Sequence, residues 1–232
     1  EAETVSSLSA AGISILSGMM AMEGEDYSTL ESIRATGGVR PDATWPANLA
    51  AARANAQIAH RMGIRLVTFH AGALPDEGAD GDGASRHAMV SRLRELAAVF
   101  ATWSVRVALE TGQETAPSLI GLLNDLGKPV VGVNFDPANM ILYGMGEPVA
   151  ALRRLAPWVR QVHIKDARAT TQPGTWGTET PAGQGQVDWP AFFSALRELG
   201  VECDLVVERE AGHSRIDDVR RARVLVEGLL AR

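Results

Sequence analysis

Residues 130–136 read Val-Val-Gly-Val-Asn-Phe-Asp, a short apolar run that stops on a carboxylate. Three further apolar runs stop on a polar residue in the same way. The four runs and their end residues are 105–109 with Glu110, 130–135 with Asp136, 159–162 with His163, and 204–207 with Glu208. A buried strand that stops on such a residue presents it at the carboxyl edge of a parallel barrel, so the four side chains can converge. Carboxylates and an imidazole in this mixture predict a site for one divalent metal ion: Mn, Co, Mg or Zn.

The bulk composition indicates one large domain, residues 1–232, with a full hydrophobic core. The net charge of -6 argues against a nucleic-acid partner, because such binding needs a basic face. No apolar run approaches the length of a membrane span, and no signal-peptide pattern opens the chain, so we expect no membrane partner. Cys203 is the one cysteine and cannot form an internal disulfide, which favours a cytoplasmic location.

Short β-rich runs alternate with helical patterns along the chain. The predicted strands are residues 13–20, 65–69, 106–109, 130–135, 159–164 and 204–207. The predicted helices are 46–63, 86–103, about 117–127, 189–200 with Asp188 as N-cap, and 215–230. This order is typical of an α/β fold with parallel strands and right-handed crossovers. Three long loops, 35–45, 71–85 and 167–185, follow strand ends, where such folds hold their chemistry.

The strand-end motifs resemble the xylose-isomerase-like TIM barrels, specifically the sugar phosphate isomerase/epimerase superfamily. The matching strings are Val67-Thr68-Phe69-His70, Leu109-Glu110-Thr111-Gly112-Gln113-Glu114, Asn134-Phe135-Asp136-Pro137-Ala138-Asn139, Val162-His163-Ile164-Lys165-Asp166, Gly183-Gln184-Gly185-Gln186-Val187-Asp188 and Val207-Glu208-Arg209-Glu210. The resemblance runs from about residue 10 to the C-terminus. It implies a (β/α)8 barrel with the metal on Glu110, Asp136, His163 and Glu208. It also implies that Glu110 and Glu208 move protons as catalytic residues.

The chain departs from that family pattern in two places. Asn139 stands where the sugar epimerases commonly have a histidine, three residues after the metal-binding aspartate. The family has four strands before the first glutamate strand, whereas this sequence predicts two. We therefore expect a barrel whose first two strands are absent from this chain, with residues 1–11 ending the helix that should follow them. About 40–50 further N-terminal residues, or another copy in a homo-oligomer, would then cover the open strand edges.

Five residues near these motifs are candidates for substrate binding: His70, Asn139, Lys165, Trp176 and Arg209. Strand alternation points Lys165 into the barrel, where it either binds a substrate oxygen or phosphate or pairs with a barrel carboxylate. His70 is a substrate contact, a partner of a ligand, an extra ligand or a structural residue. Trp176, in a long loop, either closes over a sugar or anchors packing. Arg209 either meets an anionic substrate or is solvated.

With the resemblance, these residues predict a metal-dependent isomerase or epimerase of a small sugar or sugar phosphate, in carbohydrate metabolism. One glutamate would remove a proton next to a carbonyl to give a metal-stabilised enediolate, and the other would return a proton. Two alternatives stay open: a dehydratase of a keto-sugar or keto-cyclitol, and a barrel without turnover. An abasic-site endonuclease of this superfamily is disfavoured, because it needs more histidines and none lies between His163 and His213.

Overall fold

The centre of the fold is a six-stranded parallel sheet that curls into a half-barrel. The structure, a computed structural model, describes residues 1–75, 83–127 and 131–231. The sheet strands are β1 (Gly18–Met19), β2 (Leu66–Phe69), β3 (Arg106–Glu110), β4 (Val131–Phe135), β5 (Val159–Ile164) and β8 (Asp204–Val207), side by side in that order. Between β5 and β8 in sequence, β6 (Asp166–Arg168) and β7 (Thr178–Thr180) form a separate antiparallel hairpin.

Helices connect the strands and cover the outside of the sheet. They are α1 (Ala2–Ala10), α2 (Leu30–Thr36), α3 (Trp45–Arg61), α4 (Gly83–Ala101), α5 (Ala116–Leu126), α6 (Pro137–Tyr143), α7 (Pro148–Leu155), α8 (Trp189–Glu198) and α9 (Arg215–Leu230). Local signals set several helix starts. The Thr115 side chain accepts a hydrogen bond from Ser118 N at α5, and Asp188 accepts one from Ala191 N at α8. Asp188 is therefore the N-cap that the sequence predicts. None of the described helices combines the length and apolar character that a membrane crossing requires.

The core lies on both faces of the sheet, because every residue of β2 and β4 is buried. Strands covered on both faces are expected when helices pack outside and a barrel interior lies inside. Phe135 of β4 packs against Phe192 of α8 with ring centroids 5.8 Å apart, and both are fully buried. Burying one such side chain contributes about 1.5–3 kcal/mol, so this contact fixes α8 beside the strand that ends at Asp136.

The predicted strands are confirmed in number and order but not in every boundary. The first, predicted as residues 13–20, is wrong in length, since only Gly18 and Met19 pair with β2. Ile13 and Leu16, in the part that does not pair, are 55% and 50% exposed. The third strand extends one residue further than predicted and includes Glu110. Residue 130, and residues 76–82 of the predicted loop 71–85, lie outside the described residues.

The short elements that were not predicted include α2, α6, α7 and the β6–β7 hairpin. Each helix has only seven or eight residues, too few for a clear apolar period. The hairpin lies within the predicted long loop, and its strands have three residues each. Two strands precede the Glu110 strand in the described chain, as predicted, and β1 and β8 are the two edges of its sheet.

Candidate metal centre

The four predicted ligands meet at the carboxyl edge of the sheet. Glu110 ends β3, Asp136 follows β4, His163 lies near the end of β5, and Glu208 follows β8. One ligand atom from each lies within 4.8 Å of the others. His163 Nδ1 is 3.3 Å from Glu110 Oε1, 3.7 Å from Asp136 Oδ2 and 3.2 Å from Glu208 Oε2. Parallel strands in register end at the same level, which is why residues far apart in sequence converge here.

The cluster fits a divalent cation. Glu110, Asp136 and His163 are 3%, 0% and 5% exposed. Two of the buried atoms that face the centre, Asp136 Oδ2 and His163 Nδ1, have no hydrogen-bond partner among the described residues. A buried polar atom without a partner costs about 1–3 kcal/mol, and a coordinated ion would supply the missing interaction. Three carboxylates and one imidazole suit Mn, Co, Mg or Zn.

Electrostatics favour a positive charge at this place. Burial opposes charging of the His163 ring, but Asp136, Glu110 and Glu208 outweigh burial and raise the pKa of His163 to about 12. Burial also opposes the charged form of Glu208 and so raises its pKa. The neighbouring His163 and Lys165 have the larger effect and lower the pKa of Glu208 to about 2. The pKa of Asp136 is raised, chiefly by burial. The carboxylates therefore hold a proton on the imidazole strongly, and a metal ion would compete for the same place.

Neighbouring side chains orient the two carboxylates that lie deepest. Asn139 Nδ2 donates to Glu110 Oε1 at 3.1 Å, and Asn134 Nδ2 donates to Glu110 Oε2 at 3.2 Å. Asp136 Oδ1 accepts from the backbone N–H groups of Ala138 and Asn139, at 2.8 and 3.0 Å. These bonds turn the second oxygen of Asp136 toward the cluster. The Asp-Pro sequence thus starts a helix, and the same carboxylate faces the candidate metal position.

Lys165 points into the barrel, as strand alternation predicts. Its Nζ lies 3.0 Å from Glu208 Oε2 and 3.8 Å from Asp136 Oδ2, and it also bonds to Glu210. Burial opposes the charged form, but these three carboxylates raise the pKa of Lys165 well above its ordinary value. These contacts favour the charged form of Lys165, which is already paired with carboxylates. This arrangement matches the predicted alternative of an internal salt bridge.

A cavity of about 490 Å³ opens over the cluster. Four of the five predicted substrate-binding residues line it: His70, Asn139, Lys165 and Trp176. Tyr143 and Trp176 form an aromatic wall with ring centroids 4.8 Å apart, joined by Tyr27 on the cavity lining. His70 Nε2 is 3.8 Å from Glu110 Oε1. The volume suits a small ligand, and a lining of aromatic side chains with a few polar groups is typical of small-molecule pockets.

Arg209 does not join the other candidates. It is absent from the described cavity lining, and its guanidinium is bound to Glu179 Oε1 at 2.5 Å and Asp218 Oδ2 at 3.0 Å. Its side chain is 9% exposed, so it is not a solvated surface residue either. The prediction of a substrate contact is therefore replaced by a structural role, since Arg209 ties the β6–β7 hairpin to α9. Its partners are 30 residues before it and 9 after it, and local patterning does not reveal them.

Asp166 anchors the long loop that carries Trp176. Its carboxylate accepts hydrogen bonds from the backbone N–H groups of Gly183, Gly185 and Val187, at 2.8, 3.1 and 3.1 Å. It also accepts one from Trp189 Nε1 at 3.0 Å. Three donors from the end of the loop and one from the start of α8 thus hold this end of the loop against one buried carboxylate.

The sequence pattern did not single out Asn134, Gln161, Glu25 or Glu210, which lie at or beside the site. Asn134 precedes Asp136 by two positions, and Gln161 precedes His163 by two positions. Residues two apart in a strand share one side, so this spacing was a usable signal. Glu25 and Glu210 line the cavity from loops, where no periodic pattern exists.

Comparison with known proteins places this geometry in a family. The model of the xylose isomerase-like TIM barrel matches residues 5–229. The crystal structure of a xylose isomerase domain protein from Planctomyces limnophilus superposes with a TM-score of 0.88 at 32% identity, covering 97% of this chain and 79% of that one. L-ribulose 3-epimerase has a TM-score of 0.74 at 16% identity, covering 99% and 79%. The 3-dehydroshikimate dehydratase of Bacillus anthracis is 30% identical over 92 residues, 38% of this chain and 32% of that protein.

This chain belongs to the xylose isomerase-like TIM barrel family. Its resemblance to that family, first read from strand-end motifs, is confirmed. The similarity to the epimerase is a similarity of fold, because identity there is low. The aligned segments span 25% to 35% of the curated relatives that the chain matches. The family neighbours include sugar epimerases and a dehydratase.

Proposed function

We propose that this protein is a metal-dependent isomerase or epimerase of a small sugar, in cytoplasmic carbohydrate metabolism. The observation that carries the proposal is the convergence of Glu110, Asp136, His163 and Glu208 within 4.8 Å under a cavity. Two partnerless buried ligand atoms support a single ion at their centre. When bound, a divalent ion would act as a Lewis acid that makes the carbon next to a substrate carbonyl more acidic.

Glu110 and Glu208 are the proposed proton-transfer residues. They come from β3 and β8, the outermost strands that supply ligands, so each can face a different side of a substrate above the cluster. One removes the proton from the carbon next to the carbonyl, and the enediolate formed then takes a proton at the opposite face or at the adjacent carbon. Return at the opposite face is epimerisation, and return at the adjacent carbon is isomerisation. Lys165 and His70 line the cavity, and we propose that they bind substrate oxygens.

The charge of the cavity favours an uncharged sugar over a sugar phosphate. Four acidic residues lie on the described lining: Glu25, Glu110, Glu208 and Glu210. Lys165 is the one lysine or arginine among the described lining residues, and Glu208 and Glu210 already pair with it. Even with a divalent ion bound, the four carboxylates outweigh the charges of the ion and Lys165, so a phosphate would meet net repulsion in the cavity.

A dehydratase on the same residues is the second candidate, and the match to 3-dehydroshikimate dehydratase favours it. The first step is the same removal of a proton next to a carbonyl. The electron pair then forms a double bond to the β-carbon as the C–O bond breaks, and the hydroxyl takes up the abstracted proton and leaves as water. Analysis of the products by NMR separates these reactions, because only the dehydratase product loses water.

The test is isotope exchange in deuterated water with Mn²⁺ and a panel of free ketopentoses and ketohexoses. The wild type should incorporate deuterium next to the carbonyl. Glu110→Gln and Glu208→Gln should each lose turnover by about 100-fold or more, because each removes a general base. Glu31→Gln, on the exposed side of α2, is the matched control and should behave as wild type. Turnover without deuterium incorporation would contradict the two-glutamate mechanism.

A further inference from the structure

Two amide side chains lie beneath the candidate metal ligand His163. Asn134 and Gln161 are 0% and 1% exposed. His163 Nε2 lies 3.1 Å from Asn134 Nδ2 and 3.4 Å from Gln161 Nε2. Gln161 Nε2 also lies 3.3 Å from Asn134 Oδ1, while Gln161 Oε1 is buried without a hydrogen-bond partner among the described residues. The ring nitrogen that faces away from the cluster therefore has amide groups on its outer side.

The position of His163 decides which ring nitrogen binds a metal. Nδ1 faces the three carboxylates, at 3.2–3.7 Å, so Nδ1 is the ligating atom. A neutral imidazole that coordinates through Nδ1 carries its hydrogen on Nε2. That N–H needs an acceptor, because metal-ligating histidines donate their other N–H to a carboxylate, carbonyl or water. Among the described side chains, Asn134 and Gln161 are the ones that contact Nε2, so we expect the acceptor there.

Asn134 is committed elsewhere, since its Nδ2 donates to Glu110 Oε2 at 3.2 Å. Turning that amide would place an oxygen against a carboxylate. Gln161 has a partnerless oxygen, and a half-turn of its amide brings Oε1 to the place where Nε2 now faces the ring. We propose that Gln161 is the positioning residue for His163, accepting its Nε2–H when the metal is bound. The turn replaces the 3.3 Å bond to Asn134 Oδ1 by a contact between two oxygens, so the Gln161 side chain must also shift away from Asn134 Oδ1 as it turns toward the ring.

The role of Gln161 rests on the proposed metal site, so its loss should change the affinity of the protein for the metal ion. Removing the outer partner of a metal ligand typically costs 10–100-fold in metal affinity, because the ring loses its orientation and basicity. Gln161→Met keeps the length of the side chain but has no acceptor, so Mn²⁺ affinity should fall by about 10–100-fold. Gln161→Glu keeps an acceptor and should hold Mn²⁺ at least as tightly as wild type.

The experiment is calorimetric titration of Mn²⁺ into the metal-free proteins, with a thermal melt of each metal-free variant beside it. Gln57→Met, on the exposed side of α3, is the matched control and should bind as wild type. If Gln161→Met binds Mn²⁺ as tightly as wild type, the inference is wrong. Equal loss in Gln161→Met and Gln161→Glu would also overturn it, because it would indicate packing rather than an acceptor. No binding by wild type would instead remove the metal site itself.

A spectroscopic test covers the case in which Gln161→Met does not fold. In the Zn²⁺-bound wild type labelled with ¹⁵N-histidine, His163 should show a metal-bound Nδ1 and a protonated Nε2. In Gln161→Glu the Nε2–H proton should move downfield, because a charged acceptor makes a shorter hydrogen bond. Coordination through Nε2, or a proton signal unchanged in Gln161→Glu, would contradict the proposal. His163→Gln, which removes one of the five histidine signals, assigns the resonance.

Discussion

Asp136 shows how one side chain serves both the fold and the candidate site. Oδ1 accepts two backbone N–H bonds at the start of α6, while Oδ2 faces the cluster without a partner among the described residues. The first interaction is local, within three residues, and the Asp-Pro sequence is typical of it. The second depends on where β3, β5 and β8 end. Substitutions can therefore separate the two interactions.

We expect Asp136→Asn to keep the helix cap and lose metal affinity, and Asp136→Ala to lose both. Asparagine is as good an N-cap as aspartate, whereas alanine costs about 1 kcal/mol of stability. Each variant removes a ligand charge, so the loss of Mn²⁺ affinity should exceed the roughly 10–100-fold typical of outer partners. Calorimetry and urea unfolding measure the two effects. Full metal occupancy in Asp136→Ala would contradict the assignment of the site.

The raised pKa of Glu114 should make the stability of the metal-free protein depend on pH. Burial raises the pKa of Glu114 to about 7 from 4.5, although a hydrogen bond from Gly112 N opposes it. Between about pH 4.5 and pH 7 the folded protein therefore keeps a proton that the unfolded chain has released. The free energy of unfolding falls as pH rises through this window and is level above it.

We expect Glu114→Gln to remove this fall. At pH 8 the variant should be about 1–2 kcal/mol more stable than wild type, since each pKa unit corresponds to about 1.4 kcal/mol and the partial exposure of Glu114 reduces the effect. At pH 4 both proteins carry a neutral side chain, so the difference should vanish. Urea unfolding of the metal-free proteins at both pH values is the measurement. An equal gain at pH 4 and pH 8 would show that the effect is not ionisation.

At the scale of elements, the connection from β5 to α8 folds closely around the carboxylate of Asp166, which accepts hydrogen bonds from it. Gly185 allows this, because a Cβ there would lie 2.0 Å from Asp166 Oδ1. The N–H of Gly185 donates to Asp166 Oδ2 at 3.1 Å, so this backbone must approach the carboxylate closely. The loop between these anchors carries Trp176 to the cavity wall.

We expect Gly185→Ala to loosen this loop and destabilise the protein by about 1–3 kcal/mol, as overpacking does elsewhere. The loop should become more sensitive to limited proteolysis, and the KM for a sugar substrate should rise because Trp176 is displaced. Gly228→Ala is the matched control. A Cβ at Gly228, inside α9, would meet nothing within 4 Å, so this change should stabilise the helix by about 0.5–1 kcal/mol. Wild-type stability in Gly185→Ala would refute the close approach.

At the scale of the whole molecule, four of the six sheet strands supply the candidate ligands: β3, β4, β5 and β8. An ion bound by all four holds the folded arrangement and has no comparable site in the unfolded chain. At a concentration 100 times its Kd, such a ligand stabilises the folded state by about 2.7 kcal/mol. For a chain of this size that corresponds to a rise in Tm of about 5–11 °C.

We therefore expect Mn²⁺ to raise the Tm of the wild type and a chelator to reverse the rise. Glu208→Ala, which removes a ligand from the strand at the sheet edge, should show a much smaller shift at the same concentration. A thermal melt with increasing Mn²⁺ measures both. The same shift in wild type and Glu208→Ala would indicate that the ion binds elsewhere.

The parts of the fold that were predictable from sequence are those set by local chemistry. Apolar runs with polar ends marked five of the six sheet strands closely, and Asp188 marked a helix start. The first strand was overestimated, because whether residues 13–17 pair depends on a neighbouring strand and not on their own apolar character. Helices of seven or eight residues and three-residue strands lack the periodicity on which such predictions depend.

The candidate site also has features that the sequence predicts and features that depend on tertiary packing. Sequence alone determined that Glu110, Asp136, His163 and Glu208 end parallel strands, and strands that end together bring their end residues together. Only the tertiary structure decided what each polar group faces. Arg209 binds Glu179 and Asp218, Lys165 pairs with Glu208 and Glu210, and Gln161 lies behind His163. The physical reason is range: strand ends are set by neighbours in sequence, whereas the partners of a long charged side chain come from elements brought together only by packing.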